Sequence, residues 1–123
     1  MSDYNDDLEP EGKPPRPIRP QVALDVLARC GPLFAEAKGQ RVAIEEGLRS
    51  IKALEMAKSQ GATVAAREME AYASEAYRTA VAGLGAAVER EETLRWRLIA
   101  AQCAIETWRS LEASNRRMDK GAA

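Results

Sequence analysis

Ten positions near the C-terminal end of the chain repeat without a slip. Tyr77, Ala80, Leu84, Ala87, Glu91, Leu94, Leu98, Ala101, Ile105 and Trp108 follow alternating steps of three and four. That spacing keeps one side of an α-helix turned toward a partner helix over its whole length. A single charge, Glu91, interrupts an otherwise apolar or alanine seam. A helix of this length cannot bury such a seam alone, so the seam predicts an all-α chain in which a second helix runs alongside.

The partner is sought upstream. Phe34, Ala37, Ile44, Leu48 and Ile51 repeat in the same steps when Arg41 is counted with them. Gly31-Pro32 reads as a helix end followed by the first turn of the next helix. Leu24 and Leu27 mark one face of a short helix before that break. Ser59-Gln60-Gly61 reads as a stop, Thr63 as an N-cap for a short connecting helix, and Ser74 as the cap of the last helix. The expected helices are therefore about 21–30, 32–59, 64–73 and 75–118. Together they make a long antiparallel helical hairpin with a short N-terminal helix and a short connecting helix, forming one helical domain over residues 21–123.

The two charges on the seams set the expected register. Placing Arg41 opposite Glu91 brings Ile44 to Val88, Leu48 to Leu84, Ile51 to Val81, Phe34 to Leu98 and Glu55 to Tyr77. Arg41 and Glu91 are thus predicted to pair and to fix the hairpin's register more than to add net stability. A final helix of 44 residues spans roughly 66 Å against about 42 Å for a 28-residue partner. The part beyond about Ile99 is expected to be uncovered unless the first short helix folds over it, with Leu24 and Leu27 near Trp108 and Ile105. So little interior predicts a homo-oligomer.

Residues 1–20 have a different character. They carry five of the six prolines and five acidic residues against three basic ones. Such a segment buries too little apolar surface to offset its ordering entropy and is expected to be a disordered tail. The Lys13–Pro17 stretch favours an extended polyproline-type conformation. It reads as a solubilising tail, with a partner-docking peptide as the other reading.

Several function classes lose support at this level. The chain has no histidine, which removes the commonest general base and metal ligand. Cys30 and Cys103 match no zinc spacing and read as reduced thiols on apolar faces. No phosphate-binding glycine loop or nucleophile motif is present. The acidic groups around Glu89, Glu91 and Glu92, and Glu68 with Glu70, read as solvated helix faces. No cofactor, no metal and no enzymatic activity are expected. No apolar run is long enough to span a bilayer and no secretory leader is recognisable, so a cytoplasmic protein with no membrane partner is expected.

What chemistry remains lies on the last helix. Trp96 falls about 200° round the helix from Leu94, off the seam, between Arg95 and Arg97. Arginines beside an outward indole suit a nucleic-acid strand, the cations on phosphates and the ring on a base. The competing reading joins Trp96 to Ile99 and Cys103 as a second apolar strip buried against another subunit or the first helix. Residues 93–123 hold six basic and three acidic side chains. The candidate contacts for single-stranded DNA are Arg95, Trp96, Arg97, Arg109, Arg116 and Arg117, with Arg49 and Lys52 from the facing helix.

This layout resembles the UvsY type of phage and prophage recombination mediators over residues 21–123. The resemblance is strongest in Leu94-Arg95-Trp96-Arg97-Leu98-Ile99, Cys103-Ala104-Ile105, and the closing run Leu111 to Arg117. It implies a helical, ring-like homo-oligomer that binds single-stranded DNA without sequence preference. It also implies partners: a RecA-like recombinase, which it helps load, and a single-stranded-DNA-binding protein. The alternative from another class is a helical protein–protein adaptor or scaffold with no nucleic-acid binding.

Overall fold

The computed structural model describes residues 17–122, so the expected tail lies almost wholly outside the described residues. Three helices follow one another: α1 (Pro20–Lys58), α2 (Val64–Ala73) and α3 (Glu75–Ala122). The long helices α1 and α3 pack against each other along an antiparallel hairpin, and α2 sits at the connection.

Local chemistry sets most of the ends. Pro20 occupies the first turn of α1, where its missing N–H costs no helical bond. At the other end Ser59 is extended, and its N–H donates to the Met56 carbonyl at 3.2 Å. Thr63 caps α2, its hydroxyl oxygen accepting from the Ala66 N–H at 3.1 Å. Ser74 ends α2 and opens α3: its hydroxyl donates to the Ala71 carbonyl at 2.6 Å and accepts from the Tyr77 N–H at 3.3 Å. The capping roles expected of Thr63 and Ser74 are both present.

The expected break at Gly31-Pro32 is absent. α1 runs straight through it for 39 residues, with Pro32 in its interior. Burial supplies the reason. Ala23, Leu27, Cys30, Phe34, Ala37, Arg41, Ile44, Leu48, Ile51 and Glu55 are each buried or half-buried. Their steps of four and three continue across Gly31-Pro32 in unbroken phase, so one helix can present the whole stripe to α3. Pro32 falls on the exposed side opposite that stripe. The Ala28 carbonyl that it leaves without a helical donor is also on an exposed residue, within reach of water.

Two expectations change with this. There is no separate short N-terminal helix, and Leu24, 55% exposed, is not on the packed face; Ala23 and Leu27 are. The stretch of α3 beyond Ile99 is covered by the first half of α1 rather than by a folded-over helix. The uncovered part is shorter and later, since residues 114–121 are all exposed. At 48 residues against 39, α3 is about 72 Å long and α1 about 58 Å.

All ten predicted seam positions of α3 are buried or half-buried. The fully buried apolar residues are Ala23, Ala37, Ala71, Leu94 and Ala101. Four of the five are alanines, so the helices approach closely and the core is one side chain thick. Val81 and Val88 are exposed at the edge of the interface, not at its centre as the predicted pairs with Ile51 and Ile44 required. Glu55 accepts a hydrogen bond from Lys58 rather than from Tyr77, whose ring meets Tyr72 edge-on at 5.1 Å.

The connection is held by polar contacts. Lys52 donates to Glu68 at 2.5 Å and stands 4.8 Å above the Tyr72 ring, tying α1 to α2. Chiefly through the hydrogen bond to Glu68, the Lys52 ammonium is held above its ordinary pKa. Ser59 donates to Glu70, and Arg67 Nε donates to the Gly61 carbonyl at 2.9 Å.

Candidate nucleic-acid interface

Arg41 and Glu91 meet as the sequence predicts. Arg41 Nε donates to Glu91 Oε2 at 2.5 Å and its terminal nitrogen to Oε1 at 3.3 Å, while a second branch reaches Glu45 at 2.8 Å. Glu91 is 2% exposed. The Arg41 hydrogen bond holds its carboxyl below the ordinary range, and burial opposes that shift. Arg41 in turn is raised, mainly by the same hydrogen bond. This pair is a structural lock at mid-hairpin.

The residues after it on α3 separate onto three faces. Arg95 turns back toward the hairpin, its Nε donating to Glu92 at 2.9 Å and a terminal nitrogen lying 3.7 Å from Glu91. Its guanidinium also sits 5.5 Å from the centre of the Phe34 ring. Trp96 lies on the side directly away from α1 and is 63% exposed. Arg97 points to the opposite flank from Arg95, lining a groove between the helices. The two arginines that flank Trp96 in sequence therefore do not share its face.

Further along, Arg109, Arg116 and Arg117 are exposed. Arg116 Nε makes a long bond of 3.4 Å to the Glu112 carbonyl, and Arg117 borders a shallow depression with Asp119 and Lys120. Arg109 lies about 20 Å and Arg117 about 32 Å along the helix from Trp96. Trp96 and Arg117 lie on the outer side of α3, whereas Arg109, fourteen residues after Arg95, repeats the flank position of Arg95. Arg49 is exposed on α1, level with a point on α3 about 20 Å from Trp96. Lys52 is engaged by Glu68 and Tyr72 at the connection. The structure thus does not gather Arg49 and Lys52 with the α3 set.

The second apolar strip is only partly formed: Ile99 is half-buried, whereas Trp96 and Cys103 are exposed. Cys30 and Cys103 are free thiols, the first half-buried and the second open on the Trp96 side. Among the described residues no group of three or more acidic or cysteine side chains is placed to hold a metal ion, and no helix is long and apolar enough to cross a membrane.

One feature escaped the sequence reading. Between the first half of α1 and the middle of α3 runs an open groove of about 940 Å³. Val22, Val26 and Leu33 form its α1 wall, and Ala100 and Ala104 its α3 side. The signal was available in the small side chains at 100, 101 and 104 facing branched ones at 22, 26 and 33. Seeing it required one continuous α1, which the expected break at Gly31-Pro32 concealed. No family model, curated protein or solved structure matches the chain.

Proposed function

We propose that this protein is a non-enzymatic, single-stranded-DNA-binding recombination mediator that acts as a homo-oligomer in the cytoplasm and helps load a RecA-like recombinase. The supporting observation is Trp96, a large indole 63% exposed on the side of α3 that no part of the hairpin covers. An exposed ring stacks on any base, and so contributes affinity without sequence preference. Arg117 on the same outer side and Arg109 on the adjoining flank supply phosphate contacts, each weak alone and effective together through counterion release. The recombinase and single-stranded-DNA-binding protein partners rest on the UvsY-type resemblance.

Tryptophan fluorescence tests this reading. Addition of an oligothymidylate is expected to quench the emission of a Trp108→Phe protein, in which Trp96 is the sole indole. Unquenched emission at low salt contradicts the proposal. The groove between α1 and α3 favours a second reading, a protein–protein adaptor, because it is apolar and unfilled by this chain's described residues.

A further inference from the structure

The groove beside Cys30 and Ala101 has an uneven distribution of charge. Among the described residues its lining contains Arg19, Arg29 and Arg97 and no carboxylate. Arg29 is already paired with Asp25 one turn back on α1. Arg19 and Arg97 have no ion-pair partner among the described residues. In the antiparallel hairpin Arg97 lies level with Leu33, so the two arginines mark opposite ends of the groove. They are separated by about 21 Å, the rise of 14 helical residues.

We propose that this groove docks an amphipathic helix of a partner protein, about four turns long, with an aliphatic face and a carboxylate near each end. The alanines at 100 and 104 leave room for a third helix to approach the hairpin closely. Val22 and Leu33, both exposed, provide apolar surface for it to cover. A helix lying in a groove presents anchors every three or four residues, which matches the span from Val22 to Leu33. The end arginines select carboxylates and reject a basic helix.

The same charges disfavour a second copy of this chain. A two-fold-related copy packed groove to groove would set arginine against arginine at both ends. The inference is independent of the DNA reading, because Trp96 occupies a different face.

The test uses the full chain and a fluorescein-labelled 18-residue helical peptide with leucines in steps of three and four and glutamates near both ends. A control peptide carries lysine at the glutamate positions. The glutamate peptide is expected to bind at least tenfold more tightly than the control. Arg97→Glu is expected to weaken it tenfold or more and to improve binding of the lysine peptide. Ala100→Gln, which narrows the groove without changing charge, is expected to weaken both while circular dichroism is unchanged. Equal affinity for the two peptides, or binding of neither, overturns the proposal. So does a dimer in sedimentation equilibrium that Ala100→Gln dissociates, which would assign the groove to a second copy. Tighter binding of a peptide of residues 1–16 than of the glutamate probe would assign it to this chain's own segment, with the same consequence.

Discussion

Arg41 and Glu91, fifty residues apart in the chain, close a bidentate ion pair at the middle of the hairpin, with the shorter bond at 2.5 Å. It is the one place where full charges interrupt both seams. Because Glu91 is almost wholly buried, any register that moved either residue would leave its carboxylate without its hydrogen-bonded partner, with only Arg95 at 3.7 Å for a cation. The pair therefore selects one alignment of two helices whose alanine-rich contact would otherwise tolerate sliding.

Removing one partner is expected to cost more than removing both. Glu91→Leu alone leaves Arg41 with only Glu45, and Arg41→Leu alone leaves the buried carboxylate with only the longer Arg95 contact; each should lower Tm by several degrees. The double replacement by leucine should recover most of that loss, or exceed the parent, while loosening the register. Thermal melts of the four proteins, read as a double-mutant cycle, check this.

The same pair sets a pH dependence. Glu91 has a lowered pKa in the folded protein, so its contribution is present above the ordinary glutamate value and is lost as pH falls through the folded one. Stability should hold from neutral pH down to about 4.5 and then fall steeply. Glu91→Gln should flatten that fall. Arg41 stays protonated over the whole accessible range and adds no slope. Urea midpoints across pH 3–7 provide the comparison.

Backbone substitutions should separate open from crowded positions. A Cβ at Gly39 or Gly85 meets nothing within 4 Å, and both lie inside long helices. Alanine at either site should stabilise by roughly 0.5–1 kcal/mol. At Gly61 a Cβ would stand 3.1 Å from the Arg67 backbone nitrogen, so Gly61→Ala should destabilise. Pro32→Ala restores a donor to the Ala28 carbonyl on the exposed side and should raise stability by up to about 3 kcal/mol.

Core truncation should be costly because the core is thin. Among the described residues Leu94 is the one large apolar side chain that is fully buried. Leu94→Ala is expected to cost about 2–5 kcal/mol. Leu24→Ala, on an exposed position, should change stability by no more than about 0.5 kcal/mol. Chemical denaturation of the two variants distinguishes the packed face from the outer one.

The α3 seam, the hairpin and the Arg41–Glu91 pairing were legible because heptad spacing and lone seam charges are direct records of which side faces a partner. The continuity of α1 is hidden by Gly31-Pro32, a pair that on local grounds marks a helix end. The phase of Cys30 and Phe34 on either side of it carried the stronger information: burial of a continuous stripe outweighs one lost backbone bond on the wet side. The place of Trp96 off the seam follows from its spacing. The direction of Arg95 is not legible in the same way, since it is drawn inward by Glu92 one turn back and by Phe34 on the facing helix. The engagement of Lys52 is hidden for a similar reason, as its partners Glu68 and Tyr72 come from the connecting helix.

The central claim is that the outer side of α3 binds single-stranded DNA. Anisotropy of a labelled oligothymidylate, titrated with the full chain at low and at moderate salt, tests it most directly. The account predicts binding that weakens steeply with salt and falls about tenfold in Trp96→Ala, consistent with one lost stacking contact, with an unchanged Tm. A further loss and a shallower salt slope are expected when Arg109→Ala and Arg117→Ala are added. Absence of binding at low salt, or binding that the Trp96→Ala protein retains in full, would contradict it.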